Sequence, residues 1–153
     1  FTLIQLTRQG YSHANGDETV LVGKVPNMQR GALETLEYQL GVFDALPRDQ
    51  QVEFMMDAIE GIGEAKNTLD ALIVEWLEGD VKELGNLMNV DLEGSELGNT
   101  LLYDRNEDWA EWIDDRLQQP GTVFMAVGAG HLAGERSVQD LLKQRDIAVE
   151  RVR

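Results

Sequence analysis

A chain of 153 residues is long enough for one domain with a real core. Its 13 Lys+Arg stand against 28 Asp+Glu, a net charge of −15 that opposes binding to nucleic-acid phosphates or anionic lipid and attracts cations. Cysteine is absent, which excludes a disulfide framework and a thiolate metal site, and no apolar run approaches the roughly 20 residues of a membrane span.

In chain order, Phe1 to Gln9 reads as a short amphipathic helix stopped at Gly10, and residues 11–17 as a loop. Residues 18–23 are apolar and short, helix or strand, and Pro26 marks 24–30 as a connection. Leu33, Leu36, Leu40 and Phe43 then fall at helical spacing. Pro47 opens a second clear helix over 48–62, with Val52, Met55, Met56 and Ile59 inside it. A third helix spans 64–77, and a fourth, capped by Asp80, spans 81–88. Residues 89–98 read as a loop. Its opening resembles a calcium loop, but Thr100 stands where the bidentate Glu is required, so that reading is set aside. Asp104 or Asn106 is the expected cap of a fifth helix ending near Gln118, where Trp109, Ile113 and Leu117 recur every four residues. Trp76, Trp109 and Trp112 read as packing for the helical layer, and the Met55-Met56 pair as core filler.

The apolar run Thr122-Val123-Phe124-Met125-Ala126-Val127 predicts a buried strand, followed by a helix over 137–144 and a final strand over 147–152. Two strands joined by a helix make a parallel βαβ unit. The fold class expected is therefore α/β: a mostly helical domain with a small sheet that includes this C-terminal unit. A two-stranded parallel sheet is a poor core by itself, so further strands are expected from the N-terminal part, from sequence outside this chain, or from a second copy.

Chemistry is expected where the first strand ends. Gly128 and Gly130 would let the backbone turn sharply and approach a ligand, and His131 sits where the chain leaves the sheet. From the residues alone two readings of His131 stay open: a hydrogen-bonded turn histidine, or a metal ligand or general base kept neutral by a nearby helix N-terminus. A nucleotide fingerprint is weighed against these, since Gly128-x-Gly130-x-x-x-Gly134 follows the expected strand and Glu150 lies where a ribose acid would. Its third glycine is one position late and only one βαβ unit follows. Arg105, in Asp104-Arg105-Asn106-Glu107-Asp108-Trp109, lies at a helix start that the helix dipole does not favour for a cation. It needs a specific acceptor or one of the nearby carboxylates. Glu34 and Glu37 suit a helix start without any function. His13, in a polar loop, reads as a solvated side chain.

Together these segments resemble the TraB/GumN family, which includes the Tiki-type proteases. The resemblance rests on Leu33-Glu34-Thr35 with Gln39-Leu40, Trp76 with Gly79-Asp80, Arg105-Asn106 with Trp109, Val127 to Leu132, and the tail from Ser137 to Leu142 with Val149 to Val152. The family carries two Gly-x-x-His motifs with a glutamate and an arginine between them. Gly128-Ala129-Gly130-His131 matches the second motif, Glu34 the glutamate and Arg105 the arginine. Ala32 and Asp104 replace the usual Gly and Glu beside them. Gly10-Tyr11-Ser12-His13 is formally Gly-x-x-His, but no strand precedes it and it lies too close to Glu34 for the family's layout.

The resemblance implies metal-dependent peptide hydrolysis and a secreted, periplasmic or envelope location. His131 and Glu34 would meet a histidine from the first motif around a divalent metal, with Mn²⁺, Co²⁺ or Zn²⁺ suiting mixed imidazole and carboxylate ligands. Glu34 would be ligand or base, and Arg105 would stabilise the developing oxyanion. The family places its first motif upstream of a position like Phe1, and Phe1-Thr2-Leu3-Ile4 reads as the inside of an element with no capping signal or signal peptide. This chain is therefore expected to be the C-terminal portion of one such domain, binding metal weakly and hydrolysing little alone. The competing expectation is a non-catalytic module of the same fold that binds a peptide or protein.

Overall fold

Local sequence signals set most of the helices. Thr35 accepts the Tyr38 N–H at 3.1 Å and starts α3 (Leu36–Asp44). Pro47 precedes α4 (Arg48–Glu60), its ring supplying a fixed φ where no intrahelical donor is needed. Asp80 accepts the Glu83 N–H at 3.0 Å and starts α6 (Val81–Asn89). These elements belong to a computed structural model that describes residues 2–152 except 13, 15, 27 and 28, with the side chains of 2, 3, 5, 17 and 18 set aside. His13, expected as a solvated side chain, lies outside the described residues.

The chain divides into two compact units, Phe1–Ala71 and Leu72–Arg153, and the boundary falls within α5 (Ala65–Glu78). The first unit holds α1 (Thr2–Arg8), α2 (Asp17–Lys24), α3, α4 and a short 3-10 turn, Gly61–Gly63. The ambiguous apolar segment at 18–23 is thus helical. The Tyr11 hydroxyl donates to the Asp70 carboxylate, which also pairs with Lys66 one turn earlier on α5. The Lys66 hydrogen bond first, and that of Tyr11 second, hold the Asp70 carboxyl below the usual carboxylate range. Among the described residues Leu46 is the one buried apolar side chain of this unit.

The core lies in the second unit. It gathers Leu84 of α6, Leu102, Trp109 and Ala110, Ala133, and Val138, Leu141 and Leu142 of α9 (Val138–Gln144). A one-turn helix capped by Ser95, α7 (Glu96–Gly98), runs through a π-helical turn, Asn99–Tyr103, into α8 (Asp104–Leu117). Because the helix is already running, neither Asp104 nor Asn106 caps it, contrary to expectation. Ala110 is completely buried. α8 packs on α9, and α6 packs on a 3-10 turn, Ala129–Leu132.

The expected α/β class is overturned: among the described residues there is no strand and no sheet, hence no βαβ unit. Residues 122–128 and 147–152 have no regular structure, and no backbone hydrogen bond joins them among the described residues. Phe124 is 79% exposed and Val152 90% exposed. An apolar run becomes a strand only when a neighbour completes its ladder, and neither segment has one. The argument for strands donated by a second copy falls with the sheet. Two packing expectations also fail. Trp76 is 61% exposed and Trp112 is exposed, as are Met55 and Met56 on α4, a helix with no buried residue. Helical spacing finds an apolar stripe but not what covers it.

Candidate functional site

His131 sits in the 3-10 turn between the irregular segment 122–128 and α9, with its N–H bonded to the Gly128 carbonyl at 3.0 Å. The two glycines do not do what the sequence suggests. Gly128 has φ −59°, open to any residue, and a Cβ there would meet only His131 at 3.7 Å. Gly130 is needed for close approach: a Cβ would fall 2.8 Å from the Asn89 Oδ1. Asn89 closes α6, is buried, and donates from Nδ2 to the Gly130 carbonyl at 2.9 Å. The opening residue of the apparent calcium loop is thus a structural anchor for the histidine turn.

The His131 ring is held on two sides. Its Nδ1 lies 2.6 Å from Oδ1 of Asn106 on α8, and the ring packs on Trp109 with centroids 4.3 Å apart. Asn106 is 1% exposed, and its Nδ2 donates to the Arg136 carbonyl at 2.8 Å. That bond settles which end of the amide is the donor. Oδ1 is therefore the acceptor facing His131, so Nδ1 carries the ring proton and donates. In the neutral imidazole the lone pair is then at Nε2.

Arg105 joins the same cluster. Its guanidinium lies 5.2 Å from the Trp109 ring centroid, and Nη1 donates to the Leu101 carbonyl at 2.8 Å. The structure thus brings Arg105 and His131 together through Trp109. Glu34 lies in the first unit, in the bend before Thr35, where it accepts from Nε2 of Gln39 at 3.1 Å. The turn after Gly128 does not form a nucleotide cradle: no strand precedes it, and the α9 start is closed by Ser137 and Asp140.

With this geometry the comparison is decisive. A family match covers residues 2–151. The chain belongs to the TraB/PrgY/gumN family. No curated protein and no solved structure matches it.

Among the described residues no three His, Asp or Glu side chains gather as a metal group, and no helix is long and apolar enough to cross a membrane. The sequence motifs do not reveal Asn106 or Asn89 as anchors, nor any role for Arg136. The signal for Asn106 was present: it is the polar member of the stripe Leu102, Asn106, Trp109, Ile113, and a polar group on a buried stripe demands a partner.

Proposed function

We propose that this chain is part of a metal-dependent peptide hydrolase whose working imidazole is His131. The observation that carries the reading is the Nδ1–H donated to buried Asn106. Metal-ligating and general-base histidines depend on such a partner, which sets the tautomer and holds the ring. Asn106 gives that support without adding charge. Trp109 shields one side of the ring, and Arg105, on the same indole, supplies fixed positive charge for a developing oxyanion. A divalent ion (Mn²⁺, Co²⁺ or Zn²⁺) would be held by His131 together with Glu34, which accepts from Gln39, and the histidine of a first Gly-x-x-His motif. The metal would acidify water; the chain's own residues bind, orient and shield. A periplasmic or envelope location is proposed on the family resemblance.

A cleft of about 1060 Å³ lies beside this turn, lined among others by Ala129, Leu132, Trp76, Lys82 and Arg151. It is large enough for several residues of an extended peptide. The same cleft supports the second reading, a peptide-binding module without catalysis. The two separate in one assay. The protein in its full natural length is incubated with unstructured peptides and Mn²⁺, Co²⁺ or Zn²⁺, and products are read by mass spectrometry. The hydrolase reading expects cleavage abolished by chelation and reduced on the order of 100-fold or more in His131→Ala and Glu34→Gln. Cleavage indifferent to chelator or to His131→Ala overturns it, and peptide binding without cleavage leaves the binding module.

A further inference from the structure

Arg136 has no place in the reading above, yet its guanidinium is engaged by Asn99, Glu107 and the Tyr103 ring. Its φ is +54°, in the left-handed region that side chains other than glycine rarely occupy. Such a conformation persists only where the surroundings over-determine it, and such residues cluster at functional sites. Here the backbone N–H, the carbonyl and both Nη groups are engaged. The N–H donates to Oδ2 of Asp140 at 3.1 Å. Asp140 is fixed in turn by the Ser137 cap and by Gln144 Nε2. The guanidinium donates to Asn99 Oδ1 at 2.9 Å and Glu107 Oε1 at 3.1 Å, lies 3.8 Å from Asp104, and covers the Tyr103 ring at 4.6 Å. These partners come from the π turn and the first turn of α8, the elements that carry Asn106. The remaining group, the Arg136 carbonyl, accepts from Asn106 Nδ2.

We propose that Arg136 is a positioning residue: its clamped, left-handed backbone aims a carbonyl at Asn106, which fixes the amide and thereby the Nδ1–H tautomer of His131. The relay is directional. A carbonyl only accepts, so it selects the donor end of Asn106. The acceptor end is then presented to His131, which must donate from Nδ1. Without the carbonyl, the amide is free to rotate by half a turn, present its NH₂ to Nδ1 and favour the opposite tautomer. This deepens the reading of His131 as the working imidazole and rests on it for its purpose, but the relay itself is independent of any reaction.

The test is the side-chain ¹⁵N spectrum of His131 at a pH where the imidazole is neutral, with no metal or peptide present. In the unsubstituted protein the Nδ1–H form dominates. Arg136→Gly tolerates the left-handed backbone while losing the clamp, and keeps that form dominant. Arg136→Val, β-branched and unfavourable at positive φ, turns the carbonyl away, and the Nε2–H form becomes the major one. If the valine variant does not fold, Arg136→Ala replaces it with the same expected direction. A folded Val or Ala variant with the original tautomer overturns the proposal, as does a Gly variant that loses it. Because the spectrum needs no turnover, failure of the relay and failure of the hydrolase reading are separate results.

Discussion

Asn106 is buried on three sides of one problem: a helix interior, an imidazole and a turn carbonyl. A carboxylate in its place could accept from His131 but not donate to Arg136, and a leucine could do neither. One neutral amide satisfies both neighbours without burying charge. Asn89 repeats the solution from α6, where its amide donates to Gly130 and its oxygen packs on the same glycine. That arrangement predicts a cost for Gly130→Ala. The added Cβ would meet Asn89 Oδ1 at 2.8 Å, and the amide is buried and pinned by its own hydrogen bond, so it cannot swing aside without breaking it. The expected loss is about 1–3 kcal/mol, read as a lower urea midpoint at unchanged slope. Gly128→Ala, with only ordinary contact to His131 at 3.7 Å, is the matched control and moves the midpoint by less. Equal midpoints for the two variants would remove the argument for close approach.

Among the elements, what is local was legible and what is non-local was not. The caps Asp80 and Ser137 lie within three residues of the groups they bind, Pro47 stands directly before α4, and α4, α6 and α9 begin where or within one residue of where those signals place them, whereas the Thr35 cap of α3 is a finding of the structure. The run at 122–127 was misread because a strand is a property of two segments, and a single sequence shows one. Asp104 and Asn106 both read as caps because helix continuity through a π turn has no local signature. The site divided the same way: the residues of the Arg105-Asn106 and Gly128–His131 motifs were legible, while the anchor at Asn89 and the relay through Arg136 depend on chain segments about 40 and 30 residues apart. Charge crowding at the α5–α6 junction gives a prediction on this scale. Desolvation first, then the carboxylates of Glu78, Asp80 and Glu83, push the Glu75 carboxyl above its usual range. A raised folded value means that the favourable contribution is full below the ordinary carboxylate pKa and is lost as pH rises through the raised one. Glu75→Gln should therefore raise the melting temperature at neutral pH, with the gain shrinking to nothing in acid. A gain that persists in acid would point to packing and not to charge.

At the scale of the whole molecule, apolar burial is uneven. Among the described residues the second unit holds eight of the nine buried apolar side chains, and α8 and α9 meet within it. In the first unit α3 and α4 have no buried residue, and Leu36, Leu40, Met55 and Met56 are exposed. Helices of 9 and 13 residues are marginal in water without a buried face, and the Phe43–Phe54 ring contact between them, at 5.6 Å, leaves both helices without a buried residue. Burial of a leucine or phenylalanine contributes about 1.5–3 kcal/mol, which makes the difference between the units large compared with any single cap. Opening free energy should follow that distribution. Amide hydrogen exchange followed by mass spectrometry should find the slowest amides in α8 and α9, with those of α3 and α4 exchanging at least tenfold faster. The turn at Gly130 should follow the slow class, because Asn89 and Asn106 tie it to α6 and α8. The sharpest comparison is Asn106→Ala. It removes the bonds to His131 and Arg136 but no helix, so faster exchange should spread from residues 129–137 into α9 and leave α3 and α4 unchanged. Uniform acceleration along the chain would mean that the two units open together, and that the histidine turn is stabilised by the whole fold and not by its own anchors.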